Sequence, residues 1–139
     1  RLSLVGSEMC IRDRLYSFQN EMVTAFQKDS TKIDHDDLEN LKNICQKAKE
    51  TKIIITHGTD TMTQTAKELG KRKLNKTIVI TGAMIPYKFG TSDGLFNIAS
   101  ALAYVQTLPD GVYVAMNGRV FDFDNVRKNR DTGMFEEEK

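Results

Sequence analysis

The chain is short of cysteine, of excess charge of either sign and of long apolar runs, and each shortage removes a class of protein. Its two cysteines, Cys10 and Cys45, cannot build a disulfide framework, and their spacing fits no zinc pattern. Lys and Arg number 20 against 19 Asp and Glu, a formal net charge of +1. That balance provides no basic field of the kind nucleic acid requires, and no acidic one. No run of about 18 apolar residues occurs, which argues against a transmembrane helix and predicts no membrane partner. Phosphate cradles are weak as well. Gly82 stands alone, the stretch from Gly90 to Gly94 has no following Lys-Ser/Thr, and no G-x-G-x-x-G is present, so nucleotide binding loses its main support. There is no G-x-S-x-G elbow. No second His lies at metal spacing from His57, and neither a metal nor a cofactor is expected. What is there is 139 residues, 40% hydrophobic and 28% charged. That is enough for one globular domain with a real core, and too apolar for a disordered tail.

Residues Arg1 to Arg14 (RLSLVGSEMCIRDR) show neither strand alternation nor a helical period. They are not a signal peptide, because no apolar stretch follows the first arginine. Leu4 to Asp13 (LVGSEMCIRD) resembles the in-frame translation of a transposase adapter used in preparing sequencing libraries. We therefore expect residues 1–14 not to be native and residues 15–139 to be a partial catalytic domain. Setting aside Arg1, Arg12 and Arg14 together with Glu8 and Asp13 leaves 17 residues of each sign. Cys45 is then the one remaining cysteine.

Met22, Val23 and Phe26 suggest a short strand. Asp34 is a good helix N-cap, with Asp36 and Asp37 in the favourable first turn. Leu38, Leu41, Ile44, Cys45 and Ala48 follow at helical spacing to about Glu50, and His35 reads as an exposed first-turn residue. Two continuous β-branched runs, 52–56 and 77–81, have the composition of buried parallel strands. A helix over 61–70 separates them, its end marked by Gly70 and a basic 71–73. After the loop Gly82 to Ser92, Ser92 or Asp93 can cap a helix through Leu95, Ile98, Ala99, Leu102 and Val105. A third run over 112–116 ends at Asn117-Gly118, and 120–123 fits a short edge strand. The tail, 125–139, is charged. Strands alternating with helices predict an α/β fold: a parallel, Rossmann-like sheet with flanking helices. Ligands of such sheets sit beyond the carboxyl ends of the strands, here 56–61, 81–93 and 116–128.

The first of these segments is the richest. A helix starting near Thr61 offers free N–H groups and a positive dipole end, which suit an anion or a developing oxyanion. Thr59 adds a hydroxyl and Asp60 a carboxylate. Thr-Asp is equally a common capping pair, so position alone leaves capping and catalysis both open. His57 reads as a packed or hydrogen-bonded turn residue. Arg119, Arg127, Lys128 and Arg130 read as a solvated face, although a desolvated lysine beside Thr59 and Asp60 can serve as a base.

Ile-Thr-His-Gly-Thr-Asp-Thr-Met (55–62), Thr-Gly-Ala-Met-Ile-Pro (81–86) and Ser-Asp-Gly-Leu-Phe-Asn-Ile (92–98) together resemble the bacterial-type L-asparaginases, in the family's order. The likeness covers about Lys28 to Arg130. The short length and the ending Asn117-Gly118-Arg119 … Val126-Arg127-Lys128-Asn129-Arg130 resemble the small, single-domain members. The resemblance implies two catalytic threonines. The first, the nucleophile, belongs to a Thr-Gly-Gly-Thr-Ile segment after the first strand. The second is Thr59, working with Lys128 and with Asp60, which also holds the substrate's α-amino group. Ser30, after Lys28-Asp29, is implied to bind the α-carboxylate. Gly58 is implied to line the substrate site, and the carbonyl of Ala83 to meet the side-chain amide. A small amino-acid amide substrate, a homodimer or homotetramer and a cytoplasmic location come with the likeness.

This chain departs from the pattern. No Thr-Gly-Gly-Thr occurs in it, so the first threonine and, by the same expectation, the first β-strand are missing, leaving an unpaired strand neighbour. Ile85 stands where many members carry arginine, and Thr31 stands where some carry glutamine. The expectation is thus an incomplete asparaginase that hydrolyses L-asparagine to aspartate and ammonia when intact and is inactive as this chain. Two other readings stand beside it. One is glutamine hydrolysis, or the amidase subunit of a tRNA amidotransferase, the latter disfavoured by the neutral charge. The other is a non-catalytic amino-acid-binding or dimerisation module. The upstream nucleotide sequence of the parent gene should encode Thr-Gly-Gly-Thr in frame ahead of Leu15, which sequencing that region checks.

Overall fold

The computed structural model describes residues 2–6, 20–25, 28–85 and 90–139. Six strands form one sheet in the order β2-β1-β3-β4-β5-β6. They are β1 (Leu2–Gly6), β2 (Asn20–Val23), β3 (Lys52–Thr56), β4 (Thr77–Thr81), β5 (Gly111–Met116) and β6 (Arg119–Asp122). All neighbours are parallel except β5 and β6, which pair antiparallel across the turn at Asn117-Gly118. Three helices connect them: α1 (His35–Lys47), α2 (Met62–Gly70) and α3 (Gly94–Thr107). The expected α/β class and parallel sheet are therefore present. Among the described residues no helix is long and apolar enough to cross a membrane.

The β-branched runs become strands because both of their faces are covered, and the period of two assigns each residue to a layer. Ile53, Ile55, Ile78, Ile80, Val112, Val114 and Met116 face one side, where Leu41 and Cys45 of α1 and Met62, Ala66 and Leu69 of α2 pack on them. Ile54, Val79, Tyr113 and Ala115 face the other, against Ile98, Ala101, Leu102 and Val105 of α3. Burial pushes the Cys45 thiol up to about 11, so it behaves as a small apolar side chain.

The helix ends follow the capping signals in part. Asp34 caps α1 in a reciprocal box with Asp37, as its position predicted. Asp93 is the N-cap residue of α3 but makes no side-chain cap bond. Its carboxylate turns back onto the preceding loop instead, accepting from the Met84 and Ile85 N–H groups at 3.1 and 3.0 Å. Between α1 and α2, the nearly buried Lys42 ammonium bridges Glu39 at 2.8 Å and Glu68 at 3.3 Å. Arg72 reaches the same Glu39 at 2.6 Å.

One expectation needs correcting. The slot expected to lack its strand is filled: Leu2–Gly6 pairs with β3 from Leu2↔Lys52 to Gly6↔Thr56, and with β2 on its other side. The physical reason is that a strand's open row of N–H and C=O groups pairs with any extended backbone, and Leu-Ser-Leu-Val is competent to extend. The charged tail folds into an antiparallel hairpin of β7 (Arg127–Lys128) and β8 (Phe135–Glu136). Val126 and Phe135 are 0% and 2% exposed and anchor that hairpin in the main core. Phe26 and Pro86, named in the sequence reading, lie outside the described residues.

Phe135→Ala should therefore lower the unfolding free energy by about 3–5 kcal/mol, the usual cost of emptying a buried phenyl site. Urea denaturation of the variant and the parent chain measures the difference.

Candidate active site

The carboxyl ends of β3, β4 and β5 meet the β7–β8 hairpin, and the chemistry collects there. After Thr56 the chain turns through His57-Gly58-Thr59-Asp60 into α2, whose N-cap is Thr61. Neither Thr59 nor Asp60 caps the helix. The Thr61 hydroxyl makes no cap bond either and donates to the Ser30 carbonyl at 2.8 Å. The side chains of Thr59 and Asp60 turn to Lys128. Its ammonium lies 2.9 Å from Thr59 Oγ1 and 2.7 Å from Asp60 Oδ1. The capping alternative for this pair is thereby set aside.

Lys128 is unlike the other cations that were read with it as a solvated face. Its side chain is 15% exposed, against 56% for Arg119 and 60% for Arg127. It donates to a hydroxyl and a carboxylate together, a geometry in which a proton can pass between amine and hydroxyl. Asp60 itself is 61% exposed, open to a ligand's cationic group as well as to lysine.

Ser30 sits in a one-turn 3₁₀ helix, Ser30–Lys32, capped by Asp29 through the Thr31 N–H and hydroxyl at 2.9 and 2.7 Å. It is 7% exposed and packs on Gly58. A Cβ at position 58 would lie 2.5 Å from Ser30 Cβ and 2.6 Å from its Oγ, so glycine is what admits the serine here. A Cβ on Gly82 would strike the His57 carbonyl, which locks the β4 loop to the β3 loop in the same way. Thr31, with its hydroxyl committed to Asp29 and its residue exposed, reinforces the turn.

His57 is a buried structural histidine, as read from the sequence. Nδ1 lies 2.7 Å from the Gly58 carbonyl and Nε2 2.9 Å from Thr65 Oγ1. A carbonyl only accepts, so Nδ1 carries the proton and Nε2 accepts from threonine. Burial holds the histidine's pKa below its ordinary 6.5, against an upward pull from the Gly58 carbonyl. His35 opens α1 and is exposed. Among the described residues no three His, Cys, Asp or Glu side chains are grouped to hold a metal.

The structure thus joins Thr59, Asp60 and Lys128 directly and sets Ser30 against Gly58. Ala83 stands one strand over, two residues past Thr81, which pairs with Thr56. Two residues support that strand end: Asp93, which the sequence offered only as a helix cap, and Asn97, which it passed over and whose Nδ2 donates to the Gly82 carbonyl at 2.9 Å. Asn97, 1% exposed at a helix start, carried no local signal beyond the Ser-Asp-Gly-Leu-Phe-Asn motif itself.

The family described as Asparaginase, N-terminal matches residues 7–136. L-asparaginase 2 of Escherichia coli (strain K12) is 41% identical over 83 residues, which make up 57% of this chain and 24% of that protein. A glutaminase-asparaginase of Pseudomonas fluorescens biotype A is 36% identical over 83 residues, 57% of this chain and 21% of the relative. The thermostable L-asparaginase from Thermococcus kodakarensis shares the fold with a TM-score of 0.88 at 24% identity, covering 98% of this chain and 50% of that one. The chain therefore spans half or less of the proteins it matches.

Because burial lowers the His57 pKa in the folded chain, the unfolded chain binds its proton first as pH falls. Its contribution to stability should be complete above pH 6.5 and be lost progressively below it, towards the depressed folded-state value. Carboxylates such as Asp34 and Glu68, whose pKa values are lowered, act only further into acid. Urea unfolding between about pH 5 and 8 should show this slope, flattened in His57→Gln.

Proposed function

Since its N-terminal family description matches residues 7–136, the chain belongs to the asparaginase family of amidohydrolases, and from that membership we propose that it is part of an enzyme hydrolysing L-asparagine to L-aspartate and ammonia. The observation that carries this reading is the Lys128 ammonium 2.9 Å from Thr59 Oγ1 and 2.7 Å from Asp60. A hydroxyl, an amine and a carboxylate converge where an amide would be activated.

On this reading Ser30 takes the substrate α-carboxylate and Asp60 its α-amino group. Gly58 lines the substrate site and lets Ser30 approach it, and the Ala83 carbonyl accepts from the side-chain amide. Thr59 and Lys128 relay a proton to the departing nitrogen. The hydroxyl that attacks the amide carbon belongs to a threonine that this chain does not contain. The attack forms an ester and releases ammonia, and water then cleaves the ester to the acid. Residues 1–14 belong, in this proposal, to an adapter-derived segment, and Leu2–Gly6 occupies a strand position without bringing the nucleophile. A homo-oligomer and a cytoplasmic location come with the proposal on family likeness alone.

The glutaminase-asparaginase relative keeps glutamine as the competing substrate. The purified 139-residue chain should release essentially no ammonia from L-asparagine, and robust release would overturn the missing-nucleophile reading. Extended with a native N-terminus that carries Thr-Gly-Gly-Thr, it should turn over. Thr59→Ala or Lys128→Met should then each lower kcat by about 10²–10⁴-fold, the usual range for a removed proton-transfer group. Competition between asparagine and glutamine in the same assay decides which amide is preferred. Absence of turnover in the extended enzyme, with calorimetric binding of aspartate retained, would instead favour a binding module.

A further inference from the structure

The loop that carries Ala83 and the hairpin that carries Lys128 share no strand pairing, since β4 lies in the main sheet and β7 in the two-stranded one. Side chains connect them. Asn97, 1% exposed, donates through Nδ2 to the Gly82 carbonyl and to Asp93 Oδ2, both at 2.9 Å. Asp93 in turn accepts from the Met84 and Ile85 N–H groups, so residues on both sides of Ala83 are held. The Asn97 Oδ1 accepts from the Asn117 N–H at 3.2 Å. Asn117 Oδ1 then accepts from the Phe135 N–H at 3.3 Å. Phe135 is the residue that pairs with Lys128 across the hairpin.

Each link constrains the next. The buried Asn97 amide uses both kinds of polar atom, so its orientation is fixed by its partners. Asn117 has φ of 56°, a left-handed conformation that asparagine, aspartate and glycine adopt most readily. That turn aims its N–H back at α3 and its side chain forward at β8. A residue that only ended β5 would not need both.

We infer that Asn97 and Asn117 are positioning residues that set the spacing between the Ala83 carbonyl and the Lys128 ammonium. The inference rests on the reading above in one respect only, that the substrate's side-chain amide lies between those two groups. Neither asparagine touches the substrate. They act through Gly82, Asp93 and Phe135.

The test uses nuclear magnetic resonance on the 139-residue chain. It follows amide hydrogen exchange, the Lys128 Cε resonance, and the Overhauser contact between the Lys128 ε-methylene and the Thr59 methyl. Asn117→Gly keeps the backbone conformation and the N–H that Asn97 uses, and removes only the link to Phe135. In it the Phe135 amide should exchange about tenfold faster or more. The Lys128 resonance should shift and its contact with Thr59 weaken, while the Met84 and Ile85 amides hold their protection. Asn117→Asp, which tolerates the turn and accepts from the same N–H, should restore all of these. Asn97→Ala should disturb both ends, and should that variant fail to fold, the two Asn117 variants decide alone. A merely local role for Asn117 would speed the Phe135 amide and leave Lys128 and Thr59 as in the parent, which overturns the inference. So does a failure of Asn117→Asp to restore them. None of these readouts needs turnover. An extended enzyme that never hydrolyses an amide would refute the functional reading alone, and an unmoved Lys128 beside an active extended enzyme would refute the positioning role alone.

Discussion

The contact of Lys128 with Thr59 and Asp60 is the interaction on which the site depends, and it is made by residues far apart in sequence. The lysine must leave the sheet, cross back on a two-residue strand and end over the turn after β3 with its ammonium within 2.9 Å of a threonine oxygen. A surface ion pair of this kind contributes little to stability, because water screens it and long side chains lose freedom in forming it. The geometry is therefore imposed by the surroundings rather than by the pair. Phe135 and Val126, sunk in the core, fix the hairpin, and the Asn117 side-chain oxygen Oδ1 holds its second strand. The packing energy sits in apolar residues; the chemistry sits in the polar ones they carry.

The same division runs through the turn after β3. Thr61 is positioned to cap α2, yet its hydroxyl binds the Ser30 carbonyl, and the helix start keeps N–H groups that a cap would have satisfied. His57 spends both ring nitrogens on Gly58 and Thr65, stiffening the segment from beneath. The close approach of Ser30 to Gly58 and of the β4 loop to the His57 carbonyl packs three separate chain segments against one another. Preorganisation of this sort holds the threonine hydroxyl and the ammonium in place without reorganising the protein.

Much of this was legible before any coordinates, and the reason is locality. The β-branched runs at 52–56 and 77–81 have no competing pattern, and Asp34 with Asp37 satisfies its own helix end within four residues. The strand-end rule then pointed to Thr59 and Asp60, although capping and catalysis use the same residue types at the same place. The partner that both side chains turn to, Lys128, is tertiary and was not available locally. The hairpin was hidden for a related reason. Strands of two residues show no periodicity, and Val126 and Phe135 lie in a charged tail with no repeating apolar pattern. Asp93 illustrates the converse: its position spells a cap, while its carboxylate serves the loop before it. Asn97 gave no pattern to read, since its three partners, at 82, 93 and 117, come together only in the fold.

The first strand separates two properties that family likeness tends to merge. Pairing of Leu2–Gly6 with β3 is a matter of backbone N–H and C=O groups, which nearly any extended segment supplies. An open strand edge is costly and recruits what lies nearest in the chain, so the sheet reaches its full width whatever the side chains are. Catalysis has no such tolerance, because one hydroxyl at one position forms the bond. Completing a ladder therefore does not complete a mechanism. What β3 and the hairpin assemble is a contact of hydroxyl, ammonium and carboxylate at Thr59, Lys128 and Asp60, and its geometry is set by side chains that the ladder by itself cannot specify.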